Sequence, residues 1–291
     1  MTTKASLPTI LLAMLFLLNS YSSLAQKLIP PPVMQEVWSK PYDPFRIAGN
    51  LYYVGTYDLG CYLITTPKGH ILINTGLAES MPVIRSHIET LGFKFSDIKI
   101  LLTTQVHFDH VGAMAAIQKA TGAKMMVDEK DAPVLADGGY SDYIMGGKGK
   151  LFVPVKADRL LHDHDTITLG GTQVILLHHP GHTKGSCSFL VDVQDEHRSY
   201  RVLIANMPSI LDDTKPGMPA YPEVAGDYAY TFNAMKHLQF DIWVASHASQ
   251  FDLQQKRKPG DPYNPEVFND RKGYDAELDE LYQSYLKRFP N

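Results

Sequence analysis

The chain has 291 residues, enough for one large core or two small ones, so length alone does not set the number of domains. Hydrophobic residues make up 44% and charged residues 20%, the balance of an ordinary soluble globular protein. A formal net charge of −4 with no basic stripe argues against nucleic acid as a partner or substrate.

Residues 1–25 have the make-up of a secretory signal. Lys4 supplies a positive start, residues 10–18 an apolar core, and Ser23-Leu24-Ala25 a small-residue cleavage site before Gln26. The apolar run is shorter than the about 20 residues a helix needs to span a bilayer. No cysteine follows the cleavage site for lipid attachment. The expectation is an exported, periplasmic protein without a membrane anchor. Residues 26–44 carry five prolines and read as an irregular extended arm.

Short β-rich runs follow at 51–54, 61–65 and 70–73, separated by turn residues. Ile84, Ile88 and Leu91 give 81–91 a helical period. An apolar strand at 98–104 then opens into Gln105-Val106-His107-Phe108-Asp109-His110. A strand that releases such a cluster into a turn puts His107, Asp109 and His110 around one point, and imidazole nitrogen with carboxylate oxygen suits zinc. A helix is expected over 111–121, ended by Gly122. The Gly-rich stretch 137–149 reads as a mobile loop in which Tyr140, Tyr143 and Met145 could border a cleft.

The second half repeats the alternation, with strands at 174–177, 186–193, 201–205 and 242–246 and a helix at 226–238. Two further metal-type histidines, His182 and His247, each follow a β-rich run, as the first cluster does. Tyr274, Leu278, Leu281, Tyr282, Tyr285 and Phe289 give a terminal helix with one apolar face, expected to cover a sheet. No linker separates the halves, and 26–291 reads as one domain.

These residues resemble the metallo-β-lactamase superfamily, whose metal motif reads H-x-H-x-D-H, then a distant His in H-P-G-H-T, then a late His. The resemblance covers nearly the whole chain after residue 25. It implies an α/β fold of αββα type, two β-sheets face to face with helices outside, and an active site at the sheet edge. It also implies up to two zinc ions, one on Gln105, His107 and His182 and one on Asp109, His110 and His247. Asp109 would in addition orient the attacking hydroxide or relay a proton. The strands of Cys61 and Cys187 fall in different sheets of that fold, which implies two free buried thiols rather than a disulfide.

Three departures from the family pattern matter. Gln105 stands where the motif has its first His, and an amide oxygen is a weaker donor, so the first site is expected to bind zinc less tightly. A Gln here resembles the GOB group within the third subclass of metallo-β-lactamases. Met207 stands where glyoxalase, lactonase and RNA-processing relatives carry a bridging Asp, which favours a β-lactamase over those hydrolases. Ser209, two residues on, matches a serine that binds the substrate carboxylate. Asn74 replaces an Asp that supports the metal ligands, keeping the hydrogen bonds but not the charge.

The resemblance thus implies a monomeric, exported zinc hydrolase of β-lactams, carbapenems included. The alternatives are another exported hydrolase on the same scaffold, such as a lactonase, or a non-catalytic zinc-binding protein. Of the remaining histidines, His162 and His164 read as a solvated turn, His178 and His179 as structural, and His70, His87, His197 and His237 as surface.

Overall fold

The computed structural model describes residues 28–290, so the proposed signal segment lies outside the described residues. The first half contains β1 (Phe45–Ala48), β2 (Leu51–Tyr53), β3 (Tyr62–Thr66), β4 (Gly69–Ile73), α1 (Met81–Thr90), β5 (Ile98–Leu102), α2 (Phe108–Val111), α3 (Met114–Thr121), β6 (Lys124–Asp128), α4 (Ala132–Asp137) and β7 (Arg159–Leu161). The second contains β8 (Thr166–Leu169), β9 (Thr172–His178), β10 (Cys187–Gln194), β11 (Ser199–Ala205), α5 (Val224–Lys236), β12 (Ile242–Ala245), α6 (Leu253–Lys256) and α7 (Arg271–Arg288).

Strands β1 to β7 lie in sequence order in one seven-stranded sheet. The second sheet has five strands in the order β12-β11-β10-β9-β8. The central strands read as continuous apolar runs because both of their faces are covered. In β3 and β4, Tyr62, Ile64, Ile71 and Ile73 point into the core shared with the second sheet. The alternating Leu63 and Leu72 join Ile84 and Ile88 of α1 in a separate core on the outer face. On the far side of the second sheet, Trp243 packs on Tyr274 of α7 with ring centroids 5.3 Å apart, and Phe232 of α5 packs on Tyr282 and Tyr285 of α7. The expected αββα sandwich is thereby present, with the terminal helix in its expected covering role.

Several local expectations are corrected. The helix expected over 111–121 begins only at Met114, since Ala113 leaves the helical conformation and Phe108–Val111 form a separate short helix; Gly112 between them lies against the loop after β4, where a Cβ would stand 2.4 Å from the Ala78 nitrogen. Strands β1, β6, β7 and β8 were not anticipated. His70 is buried rather than on the surface, edge-on to Phe93 with ring centroids 5.4 Å apart. Its place beside Leu72 in the β4 alternation explains that position. Cys61 and Cys187 are both free and buried, as expected. His162 and His164 sit in the exposed turn between β7 and β8. His178 pairs with Asp128 at 2.7 Å and buried His179 with Ser188 at 2.8 Å, so both are structural.

Candidate metal centre

Three connections bring the expected ligands to one end of the two sheets. The first follows β5, where Asn74 sets the path of the chain. Asn74 takes a left-handed φ of 63°, which asparagine tolerates. Its Oδ1 accepts from the Thr104 amide at 2.9 Å, and its Nδ2 donates to the Gly60 carbonyl at 3.2 Å. A carboxylate could not make that second bond. His107 caps α2, whose first turn carries Asp109 and His110. The second connection, from β9 to β10, turns at Gly181 and presents His182. A Cβ on Gly181 would meet the Tyr228 ring at 2.8 Å. The third follows β12, where His247 is held by a bridge to Leu59.

His107 Nδ1 and His182 Nε2 face each other at 3.1 Å. Asp109 Oδ2 lies 3.3 Å from His110 Nε2 and 3.5 Å from His247 Nε2. The ligand atoms of Asp109, His110 and His247 all fall within 4.8 Å of one another. Gln105 is buried, and among the described residues neither its Oε1 nor His110 Nδ1 has a hydrogen-bond partner, while His110 Nε2 has only its 3.3 Å contact with Asp109, which lacks hydrogen-bond geometry. Orphaned polar atoms are rare in protein interiors, and a bound ion accounts for such a cluster. The donor set, four imidazoles with one carboxylate and an amide oxygen, fits zinc, which binds each ring in its deprotonated form.

The far nitrogen of each remaining histidine is engaged, which fixes the ring and leaves the other nitrogen's lone pair for a metal. His107 Nε2 donates to Asp142 at 3.1 Å, His182 Nδ1 to the Ser209 carbonyl at 2.7 Å, and His247 Nδ1 to Asp58 Oδ2 at 3.0 Å. Asp58 also accepts from Trp38 Nε1 at 3.2 Å and the Ser249 amide at 2.9 Å.

The electrostatics follow from this packing. Burial, reinforced by His107, pushes His182 down to about 3, so its ring is neutral at physiological pH. Burial acts against the charged form of His247 too, but Asp109 and Asp58 overcome it and raise the group to about 9, so a metal ion binding at Nε2 would displace a proton there. Burial likewise opposes charge on Asp109, yet His110 and His247 hold its carboxyl well below the usual range. At neutral pH Asp109 is an anion.

Sequence reasoning missed Asp58, Asp142 and a third buried carboxylate, Asp131. Asp142 lies within the Gly-rich loop, beside Tyr143. Tyr140 is exposed, whereas the Tyr143 hydroxyl donates to the carbonyls of Gly181 and His182, each at 3.2 Å. Met145 packs on the outer core. The loop is thus partly built into the site. Ser209 is half-buried, with its Oγ turned to His182 Nδ1 at 3.2 Å. Met207 is buried in the inter-sheet core and offers the centre no ligand.

A family model of the metallo-β-lactamase superfamily matches residues 61–195. Among solved structures, the β-lactamase from Chitinophaga pinensis is 64% identical, with 90% of this chain and 99% of that one aligned at a TM-score of 0.89. The class B3 di-zinc metallo-β-lactamase LRA-12, from an Alaskan soil metagenome, is also 64% identical, over 89% of this chain and 98% of that one, at 0.88. The metallo-β-lactamase GOB-18 from Elizabethkingia meningoseptica is 58% identical over 91% and 98%, at 0.89. Curated relatives are more distant. A probable metallo-hydrolase of Methanocaldococcus jannaschii is 27% identical over 47% of this chain, which spans 64% of that protein.

Proposed function

The chain belongs to the metallo-β-lactamase superfamily, and from that membership we propose that it hydrolyses the amide bond of β-lactams, carbapenems included, with zinc as cofactor. The observation that carries this reading is the pairing of His107 with His182 and the clustering of Asp109, His110 and His247, with the buried Gln105 two residues before His107, in a chain 64% identical to a class B3 di-zinc enzyme.

In this reading Gln105, His107 and His182 hold one zinc ion and Asp109, His110 and His247 the other. Bound zinc lowers the pKa of water toward neutrality and polarises a carbonyl. The chain's own groups do the rest. Asp142, the Ser209 carbonyl and Asp58 lock the three imidazoles in the tautomer that presents a lone pair. The Asp109 carboxylate, anionic and held between two imidazoles, orients the attacking water and takes its proton. As the carbon–nitrogen bond breaks, that proton passes to the departing lactam nitrogen. Ser209, beside His182, binds the substrate carboxylate.

Met207 supports this reading over a lactonase, since a buried thioether replaces a bridging carboxylate. We further infer that the protein is exported to the periplasm and acts as a monomer on a small-molecule substrate. Among the described residues no helix is long and apolar enough to cross a membrane. Purified protein loaded with zinc should hydrolyse a carbapenem and leave an acyl-homoserine lactone intact. Turnover of the lactone with the carbapenem untouched would replace this function with the lactonase reading.

Gln105 makes the first site the weaker one, because an amide oxygen donates less strongly than imidazole. Gln105→His should therefore raise first-site occupancy when zinc is limiting, as read by metal analysis after dialysis against graded zinc. Turnover need not rise with it. Identical stoichiometry and affinity in native and variant proteins would remove Gln105 from the ligand set.

A further inference from the structure

We propose that Asp131 is a positioning residue that sets the geometry of the first zinc site by tying together the two loops that carry its ligands. Asp131 is buried at the start of α4, where its own carbonyl accepts from the Leu135 amide at 3.0 Å. Its Oδ2 accepts from the Val106 amide at 3.0 Å and from the Thr183 hydroxyl at 2.7 Å. Its Oδ1 accepts from the Gly185 amide at 2.8 Å.

The placement of those donors is selective. Val106 lies between Gln105 and His107, and Thr183 follows His182, so every ligand assigned to the first ion has a chain neighbour bound to this one carboxylate. Gly185 lets the second loop come this close, because a Cβ there would stand 2.5 Å from the Asp131 nitrogen and 2.7 Å from its Cβ. Asp109, His110 and His247 have no chain neighbour on Asp131.

A carboxylate suits the role because it accepts three hydrogen bonds and offers no donor. An asparagine would keep the shape but turn an N–H group toward one of three donors, breaking at least one tie. Because Gln105 is a weak donor, the first site has little affinity to spare when His107 and His182 shift relative to each other.

The test is competition for zinc with a chromophoric chelator, on native protein, Asp131→Asn, Thr183→Val and Thr183→Ser, with His182→Ala marking the first site. Asp131→Asn and Thr183→Val should weaken the first site by about 10- to 100-fold and leave the second unchanged. Thr183→Ser, which keeps the hydroxyl, should bind as native protein does. Thr183→Val keeps the proposal testable if Asp131→Asn fails to fold. Equal weakening of both sites would reduce Asp131 to a structural residue and overturn the proposal.

The proposal rests on the assignment of Gln105, His107 and His182 to one ion, and the two failures look different. If His182→Ala keeps two sites of native affinity, the assignment falls and the proposal with it. If His182→Ala loses one site while Asp131→Asn and Thr183→Val keep both at native affinity, only the positioning role falls.

Discussion

Asp109→Ala and His247→Ala should each lower kcat/KM for a carbapenem by about 10²- to 10⁴-fold, the range expected when a positioned proton carrier is lost, and metal loss should deepen it. Asp109 Oδ2 stands within 3.5 Å of the ring nitrogens of both His110 and His247. On the proposed assignment, alanine there would remove the one anionic ligand of the second site and the carboxylate that handles the proton. His247→Ala would leave Asp109 in place but take away a proposed ligand, and it would also leave Asp58 buried without its imidazole partner. The two variants should therefore share a loss of second-site zinc, while Asp109→Ala additionally resists rescue by excess zinc. Metal analysis and turnover on the same samples, with folding checked by circular dichroism, distinguish these effects. Near-normal turnover in either variant at verified low zinc content would mean that the second site is wrongly assigned.

Much of the centre is legible in the sequence where ligands are close along the chain or sit at strand ends. His107, Asp109 and His110 fall within four positions, so one strand end and one helical turn suffice to converge them. His182 and His247 could be read because each follows an apolar strand, and strands of a packed sandwich end at a common edge. The carboxylates behind the ligands could not be read this way. Asp58 reaches His247 across 189 residues and Asp142 reaches His107 across 35, and no periodicity encodes either contact. Asp131 carries no local signal, because its partners belong to two loops that only the closed sandwich brings together.

The fold shows the same division. Strands whose faces are both largely covered, such as β3 and β4, carry consecutive apolar residues and stand out. By contrast, β7 has three residues of which two are exposed, so almost nothing marks it until β6 supplies a partner. His70 could have been placed by period-2 reasoning, since it shares the face of Leu72. Its polarity suggested the surface instead.

Hydrolysis should depend on metal held by Gln105, His107, Asp109, His110, His182 and His247. Stepwise removal of zinc with a chelator, with metal content and carbapenem hydrolysis measured on each sample, tests it most directly. Hydrolysis should fall with zinc content, vanish in the metal-free protein, and return when zinc is added back. Full hydrolysis in protein verified to be free of metal would contradict the account.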